Sequence, residues 1–527
     1  MNKINKLLKF GVVNLLDTVI GLFARNPITH KLLLMPGYEP LRWRLGWWRA
    51  WRTFEMAGER VPAYAHFLKR HKQKKTLSYI GSIEKNFKKV PEMDKQTYIK
   101  KWSILERSVD GKLPKRGVVV DESSGSSGTP TSWVRGPAER AATRQLLQVG
   151  FARSTQQLKK QPFVINAFSL GAWATGMNVT TSLTDFTMIK SIGPDKDKIV
   201  ATMLEFGTSY TYIILSYPPF LKSLFDDSRV NWEEYTIVLA FGGEGISENM
   251  RTHLNKYAHT VLGSYGASDL EINIAIETDF TVALRQAIAK NPKLSKELTQ
   301  QAEYGVLPMI FQFNPFDYII ETNTNGELLV TITRKQNINP RIRYNIHDRG
   351  HVLRVKDLVP VLEEYGFQSI LRQKFLDLPL VFHYGRSDMS VDFNGAVVAP
   401  DGLRDVIFGD EKLTNEIENH RLISYEDKDG NKQLHIALQL RQGIDFAKSE
   451  IDRYYLYIFN ELRKINADFD HAIITSSEAM LPSIAFYEFR TGPFVRDGKK
   501  LKNEYVWNIS ELEKNQWNLN EKYHVTK

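Results

Sequence analysis

The chain contains no cysteine, which excludes disulfides, a catalytic thiol, zinc–thiolate centres and thioesters carried on the protein itself. Long uncharged apolar runs are missing too. Residues 4–24 come nearest to one, but Lys6, Lys9, Asn14 and Asp17 interrupt them, and no small-residue cleavage pattern precedes Pro27. The segment reads as an amphipathic helix lying on a surface, not as a span or a cleaved signal. There is no Walker Gly-Lys-Ser/Thr, no dinucleotide fingerprint, no Gly-x-Ser-x-Gly elbow and no metal-ligand spacing. Zinc-finger, helix-turn-helix and aromatic RNA-binding signatures are likewise lacking, so nucleic acid is not expected as a partner. No internal repeat or low-complexity tract is present.

The 527 residues are 42% hydrophobic and 25% charged, a folded composition too long for one compact core. The net charge of +10 is uneven. Residues 1–116 hold 25 lysines and arginines against 9 acids, a surplus of 16, which leaves the remainder at −6. Such a basic portion is either a solvated face or a surface for anionic membrane. Trp43, Trp47, Trp48 and Trp51 stand among Arg42, Arg44, Arg49 and Arg52. The cluster reads in two ways: an interfacial aromatic-cationic patch, or a helix packed on the protein body with arginine stems over the rings. Peripheral membrane contact through residues 1–52 is therefore left open, and the expected location is cytoplasmic, with or without attachment to the inner membrane face.

From Val118 onward, short apolar runs alternate with longer helical stretches. Val118–Val120, Phe163–Ala167, Tyr212–Leu215 and Thr236–Phe241 read as strands; Ala138–Phe151 and Lys196–Phe206 read as helices. The pattern predicts an α/β fold with ligands at the carboxyl ends of the strands. Shorter antiparallel strands are expected at Glu327–Thr333, Arg341–Tyr344 and Gly350–Val355. Beyond a boundary near residues 385–388, a helix over Asp445–Arg463 and strands at Leu434–Leu440, Ala472–Thr475 and Ile484–Phe489 predict a small α+β domain. The division is a basic, aromatic-rich extension (1–60), a large multi-subdomain body of mixed sheets and helices (61–385) and a smaller, mobile domain (386–527).

The segment Ser123-Ser124-Gly125-Ser126-Ser127-Gly128-Thr129-Pro130-Thr131 carries the clearest chemistry. Its glycines permit tight turns that expose backbone N–H groups, and its hydroxyls add donors, so the loop suits a polyphosphate. Four further motifs follow: Phe241-Gly242-Gly243-Glu244, Ser264-Tyr265-Gly266-Ala267-Ser268-Asp269, Pro340-Arg341-Ile342-Arg343-Tyr344-Asn345-Ile346-His347-Asp348 and Gly385-Arg386-Ser387-Asp388.

In this order the five motifs resemble those of the adenylate-forming superfamily, in the form found in its phenylacetate–CoA ligase-like branch. The likeness spans residues 62–505 and implies ATP-dependent activation of an aryl or acyl carboxylate to an acyl-adenylate, with transfer to coenzyme A. Ligation to an amine and transfer of AMP are alternatives within the same fold. A membrane-associated binding protein that has lost catalysis is an alternative of another class, suggested by Asp269 and Ile346 where the family has glutamate and threonine.

The resemblance implies roles for individual residues. Ser123 to Thr129 would hold the phosphates, with Gly243, Glu244, Tyr265, Gly266 and Ala267 around the adenine and Ser268 at the α-phosphate. Asp269 would hold Mg²⁺, Glu271 being a possible substitute, and Asp348 would bind both ribose hydroxyls, since a carboxylate accepts two donors. Arg386 would neighbour ribose or phosphate, and Asp388 would be the hinge, with Gly395 in the loop beyond it. Lys502, or else Lys500, would reach into the site during adenylation. Phe168, Trp173, Tyr212 and Tyr217 are candidates for the acid pocket, because they lie in segments preceding the adenine turn.

Overall fold

The computed structural model describes residues 2–23, 29, 34, 36–77, 82–123, 131–155, 158–171, 174–304, 307–373, 376–387, 390–445, 448–476, 481–495, 505–510 and 523–525. Two long helices open the chain, α1 (Asn2–Phe23) and α2 (Glu39–Arg60). The Trp/Arg cluster on α2 is core, not interface. Trp47 and Trp51 are buried, as are Arg42, Arg49 and Arg52. Burial is tolerated because each guanidinium has an acid: Arg42 pairs with Asp377 at 3.1 Å, while Arg49 and Arg52 share Asp17 at 3.0 and 2.6 Å. Of the eight residues in that cluster only Arg44 is exposed. No helix among the described residues is long and apolar enough to cross a membrane.

A hairpin of β1 (Val119–Ser123) and β2 (Thr131–Arg135) follows, then helix α3 (Pro137–Thr155). The main sheet has eleven strands among the described residues. One half is parallel, in the order β4 (Met188–Ser191), β3 (Gln161–Asn166), β5 (Tyr210–Ser216), β6 (Thr236–Phe241) and β7 (Thr260–Tyr265). The inner strands β3, β5 and β6 are mostly apolar because both faces are covered, while β4 is a partly exposed edge. Phe163, Ile165, Tyr212 and Ile214 enter one core; Val164, Ile213, Leu215 and Val238 enter another, which Leu147 and Phe151 of α3 and Val179 and Leu183 of α4 (Ala174–Leu183) close off.

Past β7 the sheet turns antiparallel through β8 (Ala275–Ile276), β9 (Met309–Gln312), β13 (Leu380–Arg386), β12 (Tyr344–Leu353), β11 (Glu327–Ile332) and β10 (Tyr318–Thr322). The expected pair of strands at 341–344 and 350–355 is one ten-residue strand. Arg343 sits at φ +46° just before it, so residues 341–343 cannot extend it.

Among the described residues, the remaining chain builds a hairpin, β14 (Val391–Phe393) with β15 (Ala396–Val398), and a five-stranded sheet. Its long centre is β16 (Ile417–Glu426) against β17 (Lys432–Leu440), flanked by β18 (Ser483–Tyr487), β19 (Val506–Ser510) and β20 (Tyr523–Val525). Helices α5 (Lys448–Ile465) and α6 (Ala467–Thr475) cover it, with Leu403, Leu438, Ile458 and Phe486 in a core of their own. The strand expected at Ala472–Thr475 is the end of α6. Asn466 caps that helix by accepting from the Phe469 N–H at 3.0 Å, and Phe469, Ala472 and Ile473 are buried at helical spacing.

Candidate active site

The carboxyl ends of β3, β5, β6 and β7 open into a cavity of about 820 Å³. Gly242, Gly243 and Glu244 after β6, Tyr265 to Asp269 after β7, Asp348 on β12 and Arg386 on β13 all border it. Asp348 and Arg386 are directly opposed across the antiparallel pair, with Nη1 4.0 Å from Oδ1. The Tyr265 hydroxyl donates to Asp348 Oδ2 at 2.6 Å, and His383 Nε2 lies 3.4 Å from the same oxygen. Burial pushes the Asp348 carboxyl upward, but His383, Arg386 and the Tyr265 hydroxyl outweigh it and hold it below the ordinary carboxylate range. A buried, charged acceptor thus faces the cavity.

The turn after β7 is braced from behind. Arg135 of β2 donates to the carbonyls of Ser268 and Leu270, and Arg341 donates to that of Asp269 at 2.9 Å while lying over the Trp133 ring. Asp121 of β1 in turn accepts from Arg135 at 3.1 Å. With its carbonyls engaged, the turn presents Ser268 and Asp269 to the cavity. Gly266 has no room for a side chain, since a Cβ there would stand 2.2 Å from the Ile272 carbonyl oxygen. Gly266→Ala is expected to cost about 3 kcal/mol through this backbone clash, seen as a lower urea midpoint.

The chain is similar to 2-hydroxyisobutyryl-CoA ligase in complex with 2-HIB-AMP and CoA, in the thioesterification state, with a TM-score of 0.61 and 12% identity over 92% of this chain and 93% of that one. The same ligase in its postadenylation state, with R3-HIB-AMP, matches at a TM-score of 0.50 with the same identity and coverage. The fold is the adenylate-forming one. No protein-family model matches the sequence, and no curated protein matches it either.

Within the adenylate-forming fold, the residues singled out from sequence fall into three groups. Gly243, Glu244, Tyr265, Gly266, Ala267, Ser268, Asp269, Asp348 and Arg386 gather at the cavity, together with Phe168 and Tyr217. Ser124 to Thr129, Trp173, Asp388, Lys500 and Lys502 lie outside the described residues; Ser123 ends β1. Tyr212 stands apart. It faces the opposite side of the sheet, where its hydroxyl donates to the Gly207 carbonyl at 2.7 Å, so it cannot line the acid pocket. Glu271 is also committed elsewhere: it is buried, ion-paired to Arg334 and hydrogen-bonded by Tyr318. Tyr265 is less open than a stacking platform would be, since its ring lies on Phe311 at 5.8 Å and beside His383 at 4.9 Å.

Other groups at the cavity or touching its lining escaped the sequence reading, as did the contacts of Tyr217 with Gly243 and Gly395. Lys432, at the start of β17, reaches Glu244 at 3.4 Å across the gap between the two sheets, with Asp392 nearby. Burial raises both carboxyls, and Lys432 partly offsets that. His471 of α6 sits 2.6 Å from Ser169 Oγ at the cavity edge. The Tyr217 ring lies between Gly243 and Gly395: a Cβ on either glycine would come within 3.0 Å of it, and both have φ near +85°, so side chains are excluded twice over. Burial pushes the Tyr217 phenol up to about 12. Signals for these contacts are long-range and leave no local motif.

The donor set suits a nucleotide and its metal. Asp269 accepts from Tyr344 at 2.8 Å through Oδ2 and borders the cavity. Among the described residues no three His, Asp or Glu side chains form a metal cage. A single carboxylate is enough for Mg²⁺, which keeps several waters and takes further oxygens from phosphate.

Proposed function

We propose that this chain is an ATP-dependent ligase that activates an apolar carboxylic acid as its acyl-adenylate and passes the acyl group to coenzyme A. The observation that carries this reading is the convergence of Tyr265, Asp269, Asp348 and Arg386, distant in sequence, on one cavity in an adenylate-forming fold. Asp348 binds the ribose hydroxyls and Arg386 faces the phosphates; both act as fixed charges that need no reorganisation as the reaction proceeds. The Ser268 hydroxyl donates to the α-phosphate. Asp269 would hold Mg²⁺, which would supply charge neutralisation at the phosphates; the acid's carboxylate oxygen attacks the α-phosphorus and pyrophosphate departs. Residues 386–527 act as the small domain, with Asp388 as hinge and Lys502 or Lys500 as the mobile cation. Coenzyme A is favoured as acceptor because the similar ligase is described with CoA in its thioesterification state. Dependence on ATP and CoA fits a cytoplasmic enzyme.

The acid's character follows from the inner wall of the cavity. Leu146, Leu147 and Phe151 of α3, Val179 and Leu183 of α4, and Ile213 and Leu215 of β5 form it, with Phe168 edge-on to Tyr217 at 5.2 Å. None of these can pair with a second charge, so a dicarboxylate or amino acid would lose solvation without compensation. The substrate class is a monocarboxylate with an aliphatic or aryl body.

Pyrophosphate–ATP exchange across a panel of straight-chain, aryl and dicarboxylic acids tests the proposal, with products formed on addition of CoA or amines identified by mass spectrometry. Exchange driven by monocarboxylates is expected; exchange with no acid overturns the reading and leaves a binding protein. Gly150 in α3 borders the same channel, and a Cβ there meets nothing within 4 Å. Gly150→Phe is therefore expected to shorten the longest acid accepted, reducing kcat/KM for it by about tenfold or more while short acids are little changed.

A further inference from the structure

We propose that α1 is a docking surface for the anionic face of a lipid bilayer, on which the helix lies flat. The helix is turned unusually for a surface helix of a soluble domain: its described charged side chains face the protein. Lys6 is ion-paired to Glu55, Asp17 lies between Arg49 and Arg52, and Lys9 rests over the Trp48 ring at 5.4 Å. Phe10 packs on Trp51 at 4.8 Å, and Val13 is buried beside them. The opposite face carries Leu7, Leu8, Val12, Leu15, Val19 and Leu22, each between 39% and 70% exposed. At 3.6 residues per turn these six fall within an arc of about 140°, one continuous stripe along the helix. No charged side chain described in α1 interrupts it.

An apolar stripe of this size costs free energy in water, and its covering must suit the charge of the N-terminal region that carries it. The first 116 residues carry a surplus of 16 positive charges, with Arg44, Lys69, Arg70, Lys85, Lys88 and Lys89 among the exposed ones. A second copy of this chain would bring like charge against like charge. Anionic headgroups complement it, and the acyl boundary beneath them receives the leucines. The ion pairs that lock the inner face mean that α1 presents its stripe already formed. This inference does not depend on the chemistry at the cavity.

Flotation of the full chain with vesicles of phosphatidylcholine, with and without phosphatidylglycerol, tests it. The wild type is expected to float with the anionic vesicles, much less with the neutral ones, and less again as salt is raised. Leu8→Glu/Leu15→Glu is expected to lose binding by about tenfold for each leucine with an unchanged melting temperature. Leu8→Gln/Leu15→Gln, which adds no repulsion, is expected to follow it. Wild-type protein that stays soluble with both vesicles overturns the proposal, as does full binding by the glutamine variant. So does equal flotation with neutral vesicles. A dimer by light scattering that the same substitutions dissociate assigns the face to a second copy, and overturns it too.

Discussion

Asp348→Asn is expected to reduce kcat/KM for ATP in carboxylate-driven pyrophosphate exchange by about 10²- to 10³-fold. Asparagine keeps the shape and one acceptor oxygen, but it loses the charge and turns the second oxygen into an N–H donor, so the two ribose hydroxyls cannot each take an oxygen of their own. The variant also removes the counter-charge of Arg386 and the acceptor of the Tyr265 hydroxyl, so both must be measured apart from folding. A melting temperature within a few degrees of wild type, with KM for ATP raised more than KM for the acid, assigns the loss to nucleotide binding. If the variant exchanges pyrophosphate at the wild-type rate, ribose is held elsewhere and the site reading fails.

Lys432→Met is expected to destabilise the protein by about 3 kcal/mol at neutral pH. The cause is electrostatic. Burial alone would lower the Lys432 ammonium, yet Glu244 and Asp392 outweigh it and hold it above the usual lysine value. Removing the cation leaves two carboxyls that burial already raises without their counter-charge. The sign of the pH dependence follows. A carboxyl whose folded pKa lies above its unfolded one binds its proton more tightly when folded, so it adds stability as pH falls through the folded value. Taking away Lys432 raises both carboxyls further. The gap in melting temperature between variant and wild type is therefore expected to be widest near pH 7.5 and to narrow by about pH 5. A gap that is constant with pH would mean that lost packing, not unpaired charge, sets the cost.

The sequence was most legible where function sits at the end of a strand. Gly243 and Tyr265 could be placed because a run of β-formers ends beside each, whereas Asp348, inside β12, and Arg386 were placed by the motif resemblance; the structure brings all four to one cavity. It was least legible where both faces of a strand are apolar. In β5, Tyr212 and Ile213 point to opposite cores, and a continuous apolar run does not say which core becomes the pocket. At Ala472–Thr475 a β-branched run resembles a strand, and only the cap at Asn466 reveals the helix. The Trp/Arg segment of α2 stayed open between two readings, and the structure gives the packed helix. Its arginines are neutralised by Asp17 and Asp377, partners that proximity in sequence does not disclose. For the same reason Lys432 and His383 went unnoticed, since each matters only through a residue far along the chain.

The placement of Tyr217 has a mechanical consequence. One ring fills the space between a loop of the parallel sheet, at Gly243, and the first hairpin of the C-terminal region, at Gly395, and it also meets Phe168 in the acid channel. Any swing of that hairpin takes away one jaw of the vice. The ring would then gain freedom to tilt, and on the proposed function the bore open to the acid would change with it, gearing chain-length selection to the position of the hairpin through a single side chain.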